Sequence, residues 1–191
     1  MSNYDQQIYD GAIKAGATPN LASLIGKQAR HETGNFSRSS KQFWQNNNPF
    51  GFKYTKNSRY AQVGNISPEG NAYAKYPSLE YAILDYVDRW MGLPAKKGGT
   101  RLAEFNTIPA TDHLQFATRL KSYGYYHTPA GKTDQQVIDI YKRGLDAAAF
   151  RIKIVAFYNN NKKTIQYGGG IVATLSLSYA YYLVFLKKKA A

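Results

Sequence analysis

Glu32, within ARHETGNF (residues 29–36), is the residue whose setting most needs a chemical explanation. The surrounding pattern predicts a helix closed by Gly34, and a helix C-terminus carries partial negative charge that disfavours an acid in its last turn. Three features favour a carboxyl that keeps its proton near neutral pH: the helix end, an apolar stripe beneath it and partial burial. A protonated carboxyl is a general acid. Glycosidic bonds are broken by such a group protonating the departing oxygen while a second carboxylate or a water acts at the anomeric carbon. The competing reading is an exposed Glu32 paired with Arg30 or Lys27.

The element that must position Glu32 is a helix with Thr18 as N-cap, Pro19 as first helical residue, and Leu21, Leu24, Ile25 and Gln28 at helical spacing; four residues further, the stripe reaches Glu32. A short helix over 4–15 precedes it, with Tyr4, Ile8 and Ile13 as anchors. The polar, aromatic segment 35–50 reads as turn, with Asn48-Pro49 arguing against helix. GFKYT, RYAQV and NAYAKY read as short strands of a small antiparallel sheet or hairpin, separated by KNS and GNISPEG. Pro77 or Ser78 opens a helix with Leu79, Ile83, Tyr86, Val87 and Trp90 on one face. Two short helices follow, 101–108 and 112–122. SYGYYHT then gathers Tyr123, Tyr125, Tyr126 and His127 in one loop, either a cleft rim or a packed corner. Thr133 and Gln136 form a capping-box pattern before a last helix through Val137, Ile140, Tyr141 and Leu145. No repeat of fixed period appears. The fold class is α+β, mainly α, with a small hairpin lobe.

The 191 residues carry a formal charge of +13, unevenly spread. No acid follows Asp146, and seven of the 25 basic residues lie beyond it, leaving 18 basic against 12 acidic residues, or +6, for the body. Both parts therefore suit an anionic partner: nucleic acid, a phospholipid surface or a bacterial wall with its anionic polymers. Body charges alternate in sign along the chain rather than forming a basic stripe, which weighs against nucleic acid. The absence of Cys excludes disulfides and thiolate metal sites, and His31, His113 and His127 lack metal-like spacing. No metal or cofactor is expected. The N-terminus, MSNYDQQIYDGAIKAG, has no apolar core of a secretory signal.

The tail reads differently. GGGIVATLSLSYAYYLVFLKKK (168–189) sits within a charge-free run from Thr164 to Leu186, close to the ~20 apolar residues a spanning helix needs, with Tyr179, Tyr181, Tyr182 and Lys187–Lys189 at one end as interface anchors. The alternative is a pair of β-strands, FRIKIVAFY and IVATLSLSYAYYLVF, joined by NNNKKT. The longer reading is preferred: residues 1–147 as the body and 148–191 as a basic linker and C-terminal membrane anchor.

QARHETGNF, NNNPFGFK and YAKYPSLEYAILDYV resemble, in order and approximate spacing, the motifs of the glucosaminidase family of peptidoglycan hydrolases, glycoside hydrolase family 73. The likeness is good over roughly 18–92 and loose over the rest of the body. It implies a lysozyme-like, mainly α domain with a β-hairpin lobe, cleaving N-acetylglucosaminyl β-1,4 bonds, with Glu32 matching the catalytic acid. The family's second carboxylate tends to lie between the Phe-Gly turn and the Tyr-x-Ser helix; the acid found there is Glu69, read as base or nucleophile, against an exposed turn residue as the alternative. The substrate's own N-acetyl group could serve instead. Tyr76 matches a tyrosine lining the cleft, against packing at the helix start; Asn48 and Phe50 match the turn motif, with a structural role open for both. Trp44 and Tyr125 are further substrate-binding candidates, and His31 departs from the usual apolar neighbour of the acid.

The reading is a peptidoglycan hydrolase of phage origin, virion- or envelope-associated, whose partners are peptidoglycan, a lipid bilayer through the tail and other virion proteins, and not nucleic acid. Its rivals are an inactive glycan-binding or structural virion protein with the same fold, a basic nucleic-acid or membrane binder, and, among enzymes, a muramidase or lytic transglycosylase.

Overall fold

The Thr18 hydroxyl accepts a hydrogen bond from the Leu21 amide at 3.4 Å and Pro19 follows it, so the helix that carries Glu32 begins where its cap dictates. The computed structural model describes residues 3–56, 58–91 and 100–167, with side chains through residue 152. Helix α1 spans Asn3–Lys14 and α2 spans Pro19–Glu32. Leu21, Leu24, Ile25 and Gln28 are fully buried, as their helical spacing requires. Arg30, on the flank of the stripe, closes a buried ion pair with Asp5 of α1, its Nε donating to Oδ1 at 2.6 Å.

α2 ends in an uncommon way. Gly34, Asn35 and Phe36 follow one another at φ of +58°, +66° and +58°. Left-handed backbone suits glycine and is tolerated by Asn, but at a phenylalanine it costs about 1 kcal/mol or more. Packing offsets that strain: Phe36 is buried against Tyr4 and Phe43, with ring centroids at 5.6 and 5.2 Å, and its amide donates to Thr33 Oγ1 at 2.9 Å. The turn leads into α3, Lys41–Asn46, whose Gln42 Nε2 donates to the Glu32 carbonyl at 3.2 Å. The sequence pattern predicts only turn here. Six residues without a capping side-chain bond leave almost no local signal, and α3 stops at Asn47, left-handed at φ +49°, just before Pro49.

The β-lobe is an antiparallel pair, β1 (Gln62–Ile66) and β2 (Ala72–Lys75), in register Gln62 with Lys75, Val63 with Ala74, and, after a bulge, Ile66 with Ala72. Of GFKYT only a bridge from Lys53 to Tyr73 forms, flanked by backbone bonds Tyr54 to Ala72 and Ala74 to Phe52, each 2.8 Å. β1 lies further along than expected and takes in Gly64–Ile66, which the sequence pattern assigns to a separator. Gly64 permits this: a side chain there would run into Asn46 of α3 and the Tyr73 carbonyl.

Helix α4 (Leu79–Tyr86) runs on as a π-helical turn, Val87–Met91. α5 (Thr100–Asn106) and α6 (His113–Ser122) follow. α7 (Asp134–Tyr167) opens with a capping box: the Thr133 amide donates to Gln136 Oε1 at 2.9 Å and the Gln136 amide to Thr133 Oγ1 at 3.2 Å. α1 packs on α2 and α4, and Ile8, Ile25, Ile83, Phe105, Phe116 and Leu145 lie in one buried cluster. The described part is thus mainly helical with a small two-stranded antiparallel sheet, the α+β class expected.

The chain divides into two compact units, Met1–Phe150 and Arg151–Ala191. α7 runs unbroken past 147, because no Gly or Pro interrupts the chain between Gly144 and Gly168. This corrects the alternative of FRIKIVAFY as a strand: that segment is helix. Among the described residues no helix is long and apolar enough to cross a membrane. The expected spanning run, 168–189, lies outside the described residues.

Candidate active site

Glu32 ends α2 half-buried, and its Oε1 accepts the hydroxyl proton of Tyr141, on α7, at 2.6 Å. Neither basic neighbour in sequence pairs with it: Arg30 is bound to Asp5, and Lys27 Nζ donates to the Ala110 carbonyl at 2.5 Å and lies 3.1 Å from His113 Nε2. Burial pushes the Glu32 carboxyl up from its usual range to about 6, against the opposing pull of the hydrogen bond from Tyr141 and of the nearby Tyr125 hydroxyl. Near neutral pH such a group exchanges its proton readily.

Three tyrosines from three elements surround this carboxyl. Tyr86 of α4 donates to Gln28 Oε1, one helical turn before Glu32, and its ring lies 4.2 Å from Phe50. Tyr125, in the loop after α6, donates to the Phe50 carbonyl at 3.0 Å and packs 6.2 Å from the rings of both Tyr86 and Tyr141. Burial and then the charge of Glu32 hold all three hydroxyls well above the usual tyrosine range. They remain neutral donors throughout any working pH. His31 packs edge-on to Tyr141 at 4.9 Å, and burial lowers its affinity for a proton.

Glu69 sits in the hairpin turn with a different set of neighbours. It is exposed, its Oε2 accepts from Lys53 Nζ at 2.8 Å, and that bond, with Ser67, holds its carboxyl down at about 2. None of the tyrosines that face Glu32 is among its partners. Tyr76 is not at a cleft surface: it is 1% exposed, its hydroxyl donates to Asp85 Oδ2 at 2.5 Å, and Arg89 binds the same oxygen at 2.9 Å. Its geometry is that of packing at the helix start. Asn48 is fully buried and ties the turn to the sheet, its Nδ2 donating to Phe52 O (2.9 Å) and Ala74 O (3.0 Å) and its Oδ1 accepting from the Phe52 amide (3.1 Å). Phe50 fills the core. Trp44 is half-buried, its Nε1 donating to Ser37 O at 2.8 Å and Arg38 covering its ring at 4.4 Å.

The structure thus brings Tyr125 to Glu32, packs Phe50 against Tyr86, and leaves Glu69, Tyr76 and Trp44 with other partners. The SYGYYHT loop splits. Tyr123 donates to Glu104 at 2.6 Å, Tyr125 faces the acid, Tyr126 stacks on Tyr141 at 4.5 Å, and His127 is exposed. Tyr141 and Tyr86 were legible only as core. The signal that could have marked them is chemical: a buried hydroxyl needs a partner, so Tyr rather than Phe or Leu in a buried stripe points to a polar group opposite. Among the described residues, no group of three His, Asp or Glu is placed to hold a metal ion.

A family model described as "Glucosaminidase: Mannosyl-glycoprotein endo-beta-N-acetylglucosaminidase" matches residues 11–182. Among solved structures, the crystal structure of a peptidoglycan hydrolase from Sphingomonas sp. A1 is similar at 26% identity, over 78% of this chain and 89% of that one, with a TM-score of 0.49. No curated protein matches the chain.

Proposed function

The chain belongs to the glucosaminidase family, and on that premise we propose that this glycoside hydrolase cleaves β-1,4 bonds in the glycan of bacterial peptidoglycan, as an endo-β-N-acetylglucosaminidase with Glu32 as general acid. The observation that carries the reading is the carboxyl at the end of α2, desolvated to a pKa of about 6 and gripped through one oxygen by Tyr141. Protonated Glu32 gives its proton to the glycosidic oxygen as the C1–O bond breaks, and the electron pair of that bond leaves with the oxygen. Glu69, ionised at any working pH, is the proposed base or nucleophile. A separation of ~5 Å between the two carboxyls gives retention, and ~6.5–9.5 Å gives inversion.

A second reading has the substrate's own N-acetyl group attack the anomeric carbon, which leaves Glu69 dispensable. It is favoured by the exposure of Glu69 and its bond to Lys53. The test for both is digestion of purified peptidoglycan by the full chain, by Glu32→Gln and by Glu69→Gln, with product masses read. The expected products carry reducing-end N-acetylglucosamine. Reducing-end N-acetylmuramic acid or an anhydro product would reassign the bond or reaction, and equal release by Glu32→Gln would end the catalytic reading.

We also propose a phage setting with the enzyme held to a bilayer, virion or host, through residues 168–189. The support is the charge-free run closed by three lysines. Flotation of the full chain with anionic liposomes is expected; no flotation would overturn it.

A further inference from the structure

Gly144 lies inside α7, where a glycine costs about 1 kcal/mol relative to alanine. Something must need its bareness. A Cβ at 144 would overlap the ring of His31, which stands on α2 directly before Glu32. α2 and α7 thus touch at a point where α7 has no side chain. Tyr141 is three residues earlier on α7, on the same face, and its hydroxyl reaches Glu32 Oε1 at 2.6 Å. Its ring is fixed on three sides: stacked on Tyr126 at 4.5 Å with 13° between planes, edge-on to His31 at 4.9 Å, and 6.2 Å from Tyr125. A side chain locked this firmly does not follow a moving carboxylate; the carboxylate must settle on it.

We propose that Tyr141 is a positioning residue for the general acid, holding Glu32 through Oε1 so that the transferable proton rides on Oε2, and that Gly144 is the spacer letting α7 come close enough for that contact. The inference rests on the reading of Glu32 as the acid. Tyr141 keeps its own proton throughout: its hydroxyl donates to Oε1 before and after transfer, while the Oε2–H bond breaks and the proton passes to the leaving oxygen. The donated bond also favours the carboxylate, so it trims the rise that burial causes and keeps the proton from being held too tightly. The other groups facing Glu32 are Tyr125 from the loop after α6, Tyr86 from α4 and the low-affinity ring of His31. Arg30 and Lys27 are turned to Asp5 and to Ala110 and His113. Among the described residues, burial and the hydroxyls of Tyr141 and Tyr125 act on the Glu32 carboxyl.

The experiment compares the full chain with Tyr141→Phe and Gly144→Ala, reading the pH profile of kcat/KM on peptidoglycan and, separately, the titration of the Glu32 carboxyl by carbon-13 NMR. In the parent, activity is expected to fall as pH rises through about 6, where the acid gives up its proton. Tyr141→Phe removes a bond that favours the carboxylate, so the limb and the NMR midpoint both move to higher pH, by about one unit, and kcat falls several-fold with KM little changed. An unmoved limb and midpoint in Tyr141→Phe would overturn the proposal. Gly144→Ala, shown folded by circular dichroism, is expected to shift both in the same direction; values equal to the parent would overturn the spacer role. Because the NMR midpoint needs no turnover, it still reports on the Tyr141 contact if peptidoglycan is not the substrate.

Discussion

Glu32 and Glu69 share one functional group and occupy opposite environments. Glu32 closes a buried helix among Tyr86, Tyr125 and Tyr141 and is pushed up to about 6. Glu69 stands on an exposed turn, bound to Lys53 and held down at about 2. Between those values, one carboxyl carries a proton while the other carries a charge. Burial produces the first state and an ion pair in water the second, and acid-assisted glycoside cleavage asks for such a division, which is the basis of the roles proposed for the two carboxyls.

Substitutions can break that comparison from either side. The largest effect is expected from Glu32→Gln, which keeps the shape and abolishes proton donation: glycan release should fall about 10³-fold, measured by reducing-end release at pH 5. Glu69→Gln is expected to cost about 10²-fold if that carboxylate is the base or nucleophile. A loss of less than about threefold would hand its role to the substrate's N-acetyl group. On the scaffold side, Asn48→Ala removes three buried hydrogen bonds, to the Phe52 and Ala74 carbonyls and from the Phe52 amide; of these groups the Phe52 carbonyl keeps a second partner, the Ala74 amide. We expect a loss of about 3 kcal/mol of stability in denaturant unfolding, far more than any exposed residue of the hairpin would give.

The smallest effect sharpens the comparison most. A carboxyl raised from 4.5 to about 6 in the folded protein binds its proton more tightly there than in the unfolded chain. Its contribution to stability is thus fully present below pH 4.5 and lost as pH rises through 6. Glu32→Gln, which never ionises, should then match the parent near pH 4 and exceed it by about 2 kcal/mol above pH 7. A variant no more stable than the parent at pH 8 would mean that Glu32 ionises without penalty.

How much of this was legible in the sequence depended on how local the cause was. α2 could be read because its cap, first proline, apolar stripe and closing glycine all lie within Thr18–Gly34. The acid could be found for the same reason. Its partner could not: Tyr141 is 109 residues away, on α7, which meets His31 of α2 at Gly144. His31, read from sequence as a departure from the usual apolar neighbour, turns out to pack against that same tyrosine. Tyr76 was expected to line a cleft, but a buried carboxylate, Asp85, takes its hydroxyl inward. The shift in β1 follows from Gly64, whose missing side chain admits Asn46 and lets pairing continue through a bulge.

Glu32 is expected to keep a proton that an ordinary carboxyl would have lost. Carbon-13 NMR of the labelled glutamate carboxyls, with Glu32→Gln assigning the resonance, tests this directly in the full chain. The predicted midpoint for Glu32 is about 6, well above those of Glu69 and Glu104, whose partners hold them down. A midpoint at or below the usual 4.5 would contradict the account, because a carboxylate already ionised at working pH has no proton to give.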